Sequence, residues 1–227
     1  MNLNVTAPLN NQHQRSHRVV AALMAVTTLV MLAALAKHPV ADQRDSVQAS
    51  LEALVAMGNL DRWVHGALIA VIAMLAYGLT TLSHSFKQNS PYLLLAQPAY
   101  LFGCASVVAA MLLDGFVTPN VATRYVASSL ADQQIAHGLL VLSSIAIQVF
   151  TKFGVLLMSL AFVSWALALI SVRLYSAATV AFVAGSTPAI FIAVNHAPLL
   201  PAPLLAIVAV QSLWYLTAAR LLWRGER

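Results

Sequence analysis

The stretch FTKFG, residues 150–154, decides how many times this chain reverses direction. Two apolar runs meet there, 133–151 and 153–172, with Lys152 between them. If the chain turns at this point, the runs are two helices. If it does not, they are one rod. A turn between helices takes about 2–8 residues rich in breakers. FTKFG offers one glycine and no proline. The stretch therefore predicts a single helix over 132–172, about 60 Å long at 1.5 Å per residue.

The runs on either side are equally poor in charge. The chain has 227 residues, 60% of them hydrophobic and 8% charged, against about a quarter charged in a soluble domain. That is too little charge to wet a globular surface, so lipid must be the solvent for most of it. A membrane helix needs about 20 apolar residues. Suitable windows predict spans at 19–36, 64–84, 93–116, 152–172, 175–195 and 201–222. The last two are parted by NHAPLLPAP, 195–203, whose prolines stop helix continuation. The expected fold is an all-α polytopic transmembrane bundle of six helices. Seven is the alternative if 133–151 crosses alone. The first span follows Arg15 and Arg18 and closes on Ala34-Leu35-Ala36, which is also the shape of a signal peptide. Its apolar run is long for that role, and we read it as a retained helix. Residues 1–17 are expected to be a cytoplasmic tail without fixed structure, and 18–227 a single domain.

The net charge of +5 does not point to nucleic acid, because the basic residues stand singly beside apolar runs. They read as topology signals. Six spans with both ends in the cytoplasm put Arg15, Arg18, Lys87, Arg173, Arg220, Arg224 and Arg227 inside, opposed only by Glu226. The outer loops then carry most of the acids. The single cysteine, Cys104, lies in an apolar span and makes no internal disulfide. No CxxC, HExxH or Walker-type motif occurs.

Two helices are expected to extend beyond the membrane on the outer side, through segments at 42–61 and 132–151. In the first, Val47, Leu51, Leu54, Val55 and Leu60 fall at helical spacing, and Asp42 or Asp45 is placed to cap the start. Packed together, the two segments form an outer cap. The alternative is a helix lying flat on the bilayer. In the fifth span Ala177, Ala181, Gly185, Ala189 and Ala193 recur every fourth residue. Such a stripe lets helix backbones approach closely. It reads as an internal seam, with a homodimer face as the alternative. Pro188 is expected to kink this helix.

Asp114 ends a long apolar run. Gly115 and Pro119 are expected to end its helix. An ionised group at the bilayer centre costs about 2.5–3.5 kcal/mol on insertion scales, so a partner is expected. Lys152 is the candidate, at nearly the same inferred depth. Otherwise each reaches interfacial water separately. His65 and His196 fall on the same side, with His38 after the first span and His137 in the projecting half of the fourth helix. His-Gly at 65–66 and 137–138 hints at a weak internal repeat. His84 falls on the other side, and His13 and His17 in the tail. Histidines from several helices can hold haem or a metal. No pair within the spans stands three or four residues apart, so no metal and no cofactor is expected, and haem b is kept as an alternative. Gln148 and Gln211 are secondary polar groups. Gln211 is expected to hydrogen-bond across to another helix. Trp63, Trp214 and Trp223 read as interfacial or packing aromatics.

VHG opens the second span and DGFVTP closes the third. QVFTKFG precedes FVSWALALI in the fourth, and QSLWYL lies in the last. On these motifs the chain resembles a loosely defined group of small bacterial integral membrane proteins of unknown function, over most of its length from residue 60 on. The resemblance implies a six-helix fold in a bacterial inner membrane and brings no activity. From the residues themselves, Asp114, Lys152, His65 and His196 are expected to line an outward-facing pocket for a small molecule or ion. A haem b or metal redox protein and a ligand-free scaffold subunit are the alternatives. No nucleophile–base or carboxylate pair supports an enzyme.

Overall fold

FTKFG lies in the middle of an unbroken helix. The computed structural model describes residues 7–38, 46–86, 90–195 and 197–225, with side chains from Gln14 on. In chain order the helices are α1 (Ala7–Ala36), α2 (Val47–Ser85), α3 (Pro91–Leu112), α4 (Thr118–Tyr125), α5 (Leu130–Ser171), α6 (Tyr175–Val194) and α7 (Pro201–Arg224). A single π-helical turn, Leu113–Val117, joins α3 to α4. Among the described residues there is no strand, and six helices are long and apolar enough to cross a membrane, α3 through α4 counting as one. The molecule is a multi-pass helical bundle.

The 42 residues of α5 match the expected rod to within two residues at either end. Ser129 caps its start: its hydroxyl accepts from the Asp132 amide at 3.3 Å and donates to the Asp132 carboxylate at 2.8 Å. Gly154 is not a turn glycine. α3 runs antiparallel against α5, and a Cβ on Gly154 would come within 2.8 Å of the Gly103 carbonyl oxygen. Glycine is there because two backbones touch. The same logic covers α6, where Ala177, Ala181 and Gly185 are buried. A Cβ on Gly185 would meet the Ser159 carbonyl at 2.6 Å. The first three members of the stripe thus serve as a seam against α5, while Ala193 stays exposed. Pro188 lies inside α6 without ending it.

Three expectations need correction. Helix α1 begins at Ala7, so residues 7–17 are helical where a tail was expected. Extending an existing helix costs far less than nucleating one. The cap of α2 is Ser46, whose hydroxyl accepts from the Ala49 amide; Asp42 and Asp45 lie outside the described residues. Gly115 and Pro119 do not end the third span. The Thr118 amide reaches back five residues to the Leu113 carbonyl, and the helix resumes as α4. Pro119 sits at the start of α4, where a missing N–H costs little.

The expected cap is present, with α4 as its third member. Leu51, Ala122 and Ala136 form its buried centre, flanked by Val47, Leu54 and Leu140. Gln133 is buried there and donates to the Gln48 side chain and to the Val126 and Ser128 carbonyls. Arg62 ties α2 to α4 through Asn120 at 2.7 Å. Val55 and Leu60 remain exposed. The main core lies lower, around touching rings of Tyr100, Phe162, Trp165, Trp214 and Tyr215. Tyr100 donates to Tyr215 at 3.0 Å and Trp165 to Ser83 at 2.9 Å. Trp214 is therefore a packing aromatic, whereas Trp63 and Trp223 are exposed.

Candidate functional site

Where the main core meets the cap, the π turn carries Asp114 and Gly115. A π turn inserts a residue into the helix and redirects side chains, and such turns favour functional sites. Gly115 makes room for α2. A Cβ there would stand 2.5 Å from the Cβ of His65. His65 is consequently only 3% exposed, wedged against the π turn.

Both ring nitrogens of His65 are engaged. Nδ1 lies 2.9 Å from the Asp61 carbonyl oxygen and 3.1 Å from Asp61 Oδ1, one helical turn back. Nε2 lies 3.3 Å from Asp114 Oδ2 and 3.2 Å from His38 Nε2. His38 follows the end of α1, and its Nε2 is 4.0 Å from the same Asp114 oxygen. The two imidazoles meet edge to face, with centroids 4.9 Å apart. Two imidazoles and two carboxylates, from α1, α2 and the π turn, thus form one cluster. Asp114 is the most open member, and His38 is partly exposed as well.

The cluster forms one end of a cavity of about 440 Å³. Its walls are mostly apolar, from Met31 and Leu35 of α1, Leu68 and Ile72 of α2, Val107 of α3, Val155 and Met158 of α5, and Leu204 and Val208 of α7. The polar lining residues are His38, His65, Asp114, Thr118, Ser144, Gln148, Thr151, Gln211 and Tyr215. Among the described residues, five buried side-chain atoms have no hydrogen-bond partner: Ser159 Oγ, Trp214 Nε1, His38 Nδ1, Thr118 Oγ1 and Gln211 Nε2. The last three belong to residues that line this cavity, and the first two do not. A buried polar group left unmatched costs about 1–3 kcal/mol, so each of these side chains carries a penalty where it stands.

The structure sorts the expected site residues. Asp114 and His65 are brought together, and Gln148 and Gln211 line the same cavity. Gln148 bonds the α6–α7 connection: its amide donates to the Leu199 carbonyl and accepts from the Leu199 amide at 2.7 Å. Gln211 was expected to bond across to another helix; its amide nitrogen has no partner. Lys152 is not the partner of Asp114. Its ammonium donates to the Ala197 carbonyl at 2.9 Å. The cause is register: Ser106 of α3 bonds the Phe150 carbonyl of α5, and Asp114 lies eight residues farther along, roughly 12 Å away at 1.5 Å per residue. His137 is exposed on α5, and His196 lies outside the described residues. His38 and Asp61 are the members that the expected site omitted. Asp61 and His65 stand four apart on one helix, a legible signal. His38 offered only its position after the first span.

No family model, no curated protein and no solved structure matches the chain.

Proposed function

We propose that the cavity binds or passes a small amphipathic molecule. Its apolar body would lie along the α1, α2 and α7 walls, and its polar head would meet His38, His65 and Asp114. The observation that carries this reading is a mostly apolar cavity with two imidazoles and a carboxylate, those of His38, His65 and Asp114, among its lining residues. About 440 Å³ falls within the roughly 300–1,000 Å³ of small-molecule sites. We further propose a bacterial inner membrane, with both termini in the cytoplasm and the histidine end of the cavity facing outward. Arg18 packs over Trp223 near the opposite end, so both terminal helices carry their basic residues together, as the positive-inside rule favours.

The test is native mass spectrometry of the full chain released from mild detergent. The expected result is one retained amphiphile per chain, lost in Val208→Trp, which fills the cavity. A wild-type protein that carries nothing and gains no thermal stability from any amphiphile tried would overturn the reading.

A scaffold or assembly role is the second reading. It is favoured by the first half of α5, which leaves Ile135, Leu142, Ile145 and Val149 exposed beside the cap. Extraction as a lone, monodisperse chain would count against it.

A further inference from the structure

His38 Nε2, His65 Nε2 and Asp114 Oδ2 face one another at 3.2, 3.3 and 4.0 Å. Two ligand atoms at tetrahedral positions about a zinc ion, each bonded at 2.0–2.1 Å, stand roughly 3.3 Å apart. Two of the three separations match that spacing; the third would have to close by about 0.7 Å for the atoms to form one face of a tetrahedral shell. The hydrogen-bond count is compatible with a metal when His65 is neutral. With the His65 Nδ1–H directed at Asp61, its Nε2 presents a lone pair. The Asp114 carboxylate presents another 3.3 Å away. His38 Nε2, which is 3.2 Å from one and 4.0 Å from the other, can offer a proton to only one of them. A cation at the centre of the triangle satisfies all three donors at once.

We propose that His38, His65 and Asp114 bind one divalent first-row transition-metal ion. Asp61 is the positioning residue: it fixes the tautomer and orientation of His65 from the far side of the ring, as carboxylates do behind metal-bound histidines. The donor set, two neutral imidazoles and one carboxylate, suits Zn²⁺ or Fe²⁺ rather than Ca²⁺ or Mg²⁺. Three protein ligands leave a coordination position free, as in catalytic rather than structural zinc sites. All three ligating residues line the cavity, so the free position opens into it. There it would take water or an oxygen donor from a ligand head group. The ion is held by its own ligands, so metal binding stands or falls independently of whether an amphiphile occupies the cavity.

Tag-free full-length protein in detergent is titrated with Zn²⁺ by calorimetry and with Co²⁺ by visible absorption. One equivalent of Zn²⁺ and cobalt ligand-field bands are expected. His38→Ala and Asp114→Asn should abolish both. Asp61→Ala should weaken Zn²⁺ binding by about 10–100-fold, the usual loss for a partner behind a metal ligand. His38 is partly exposed, so its variant should fold even if one at the buried His65 does not. Absence of stoichiometric metal would overturn the proposal and leave His65 as an imidazolium held between two carboxylates. Undiminished binding in His38→Ala would overturn it equally.

Discussion

At Gly115 the absence of a methyl group decides the site. A side chain there would occupy the space of the His65 imidazole. Gly115→Ala should push His65 out of line with Asp114 and cost about 1–3 kcal/mol, the usual range for overpacking. It should appear as a lower unfolding temperature together with loss of zinc binding. Lys152 makes the opposite case. Lys152→Gln should leave zinc binding at the wild-type level, because its ammonium bonds the Ala197 carbonyl rather than the histidine cluster. If Lys152→Gln behaves like Asp114→Asn, the placement of Lys152 outside the site is wrong. Asp114 and His65 were legible in the sequence because ionisable groups beside long apolar runs need a reason. Their mutual pairing was not, since nothing in a linear chain says which helix faces the acid.

At the level of elements, α3 and α5 are joined where Gly103 and Gly154 meet. Gly154→Val should force the backbones apart, since even a Cβ would stand 2.6 Å from a Val107 methyl carbon. A loss of about 1–3 kcal/mol is expected, read by thermal unfolding in detergent. An unchanged melting point would mean that the two helices do not touch there. The length of α5 was readable because FTKFG lacks breakers. Its register against α3 was not. Both helices are apolar on nearly every face, so periodicity, which marks the buried side of a helix in water, is silent in lipid. That silence is why Lys152 was expected level with Asp114, although the fourth span is the rod the sequence implied. The π turn was equally illegible. Gly115 and Pro119 read as a helix end, and the tertiary contact with His65 is what makes a continued helix worthwhile.

For the whole molecule, the proposed orientation places the cap and the histidine cluster outside. Glu52→Cys, on the exposed face of the cap, should react with a membrane-impermeant maleimide on intact cells. Arg224→Cys should react only after permeabilisation. Cys104 is buried and should contribute little background. The reverse pattern would invert the topology and put the cavity mouth in the cytoplasm. The outcome also bears on how far α5 leaves the bilayer, since its 42 residues exceed what a hydrocarbon core of about 30 Å requires.

The sequence by itself determined the solvent of this protein, the number of its apolar helices and the continuity of the longest one. Those properties follow from local composition: charge content, run length and the placement of prolines. Only the tertiary structure decided the pairing of Asp114 with two histidines, the place of Lys152 outside the site and the existence of a cavity. These depend on helix register and on contacts between residues far apart in the chain. In a bundle apolar on all sides, such contacts are set by where small residues let backbones touch, and that is settled only when the helices pack.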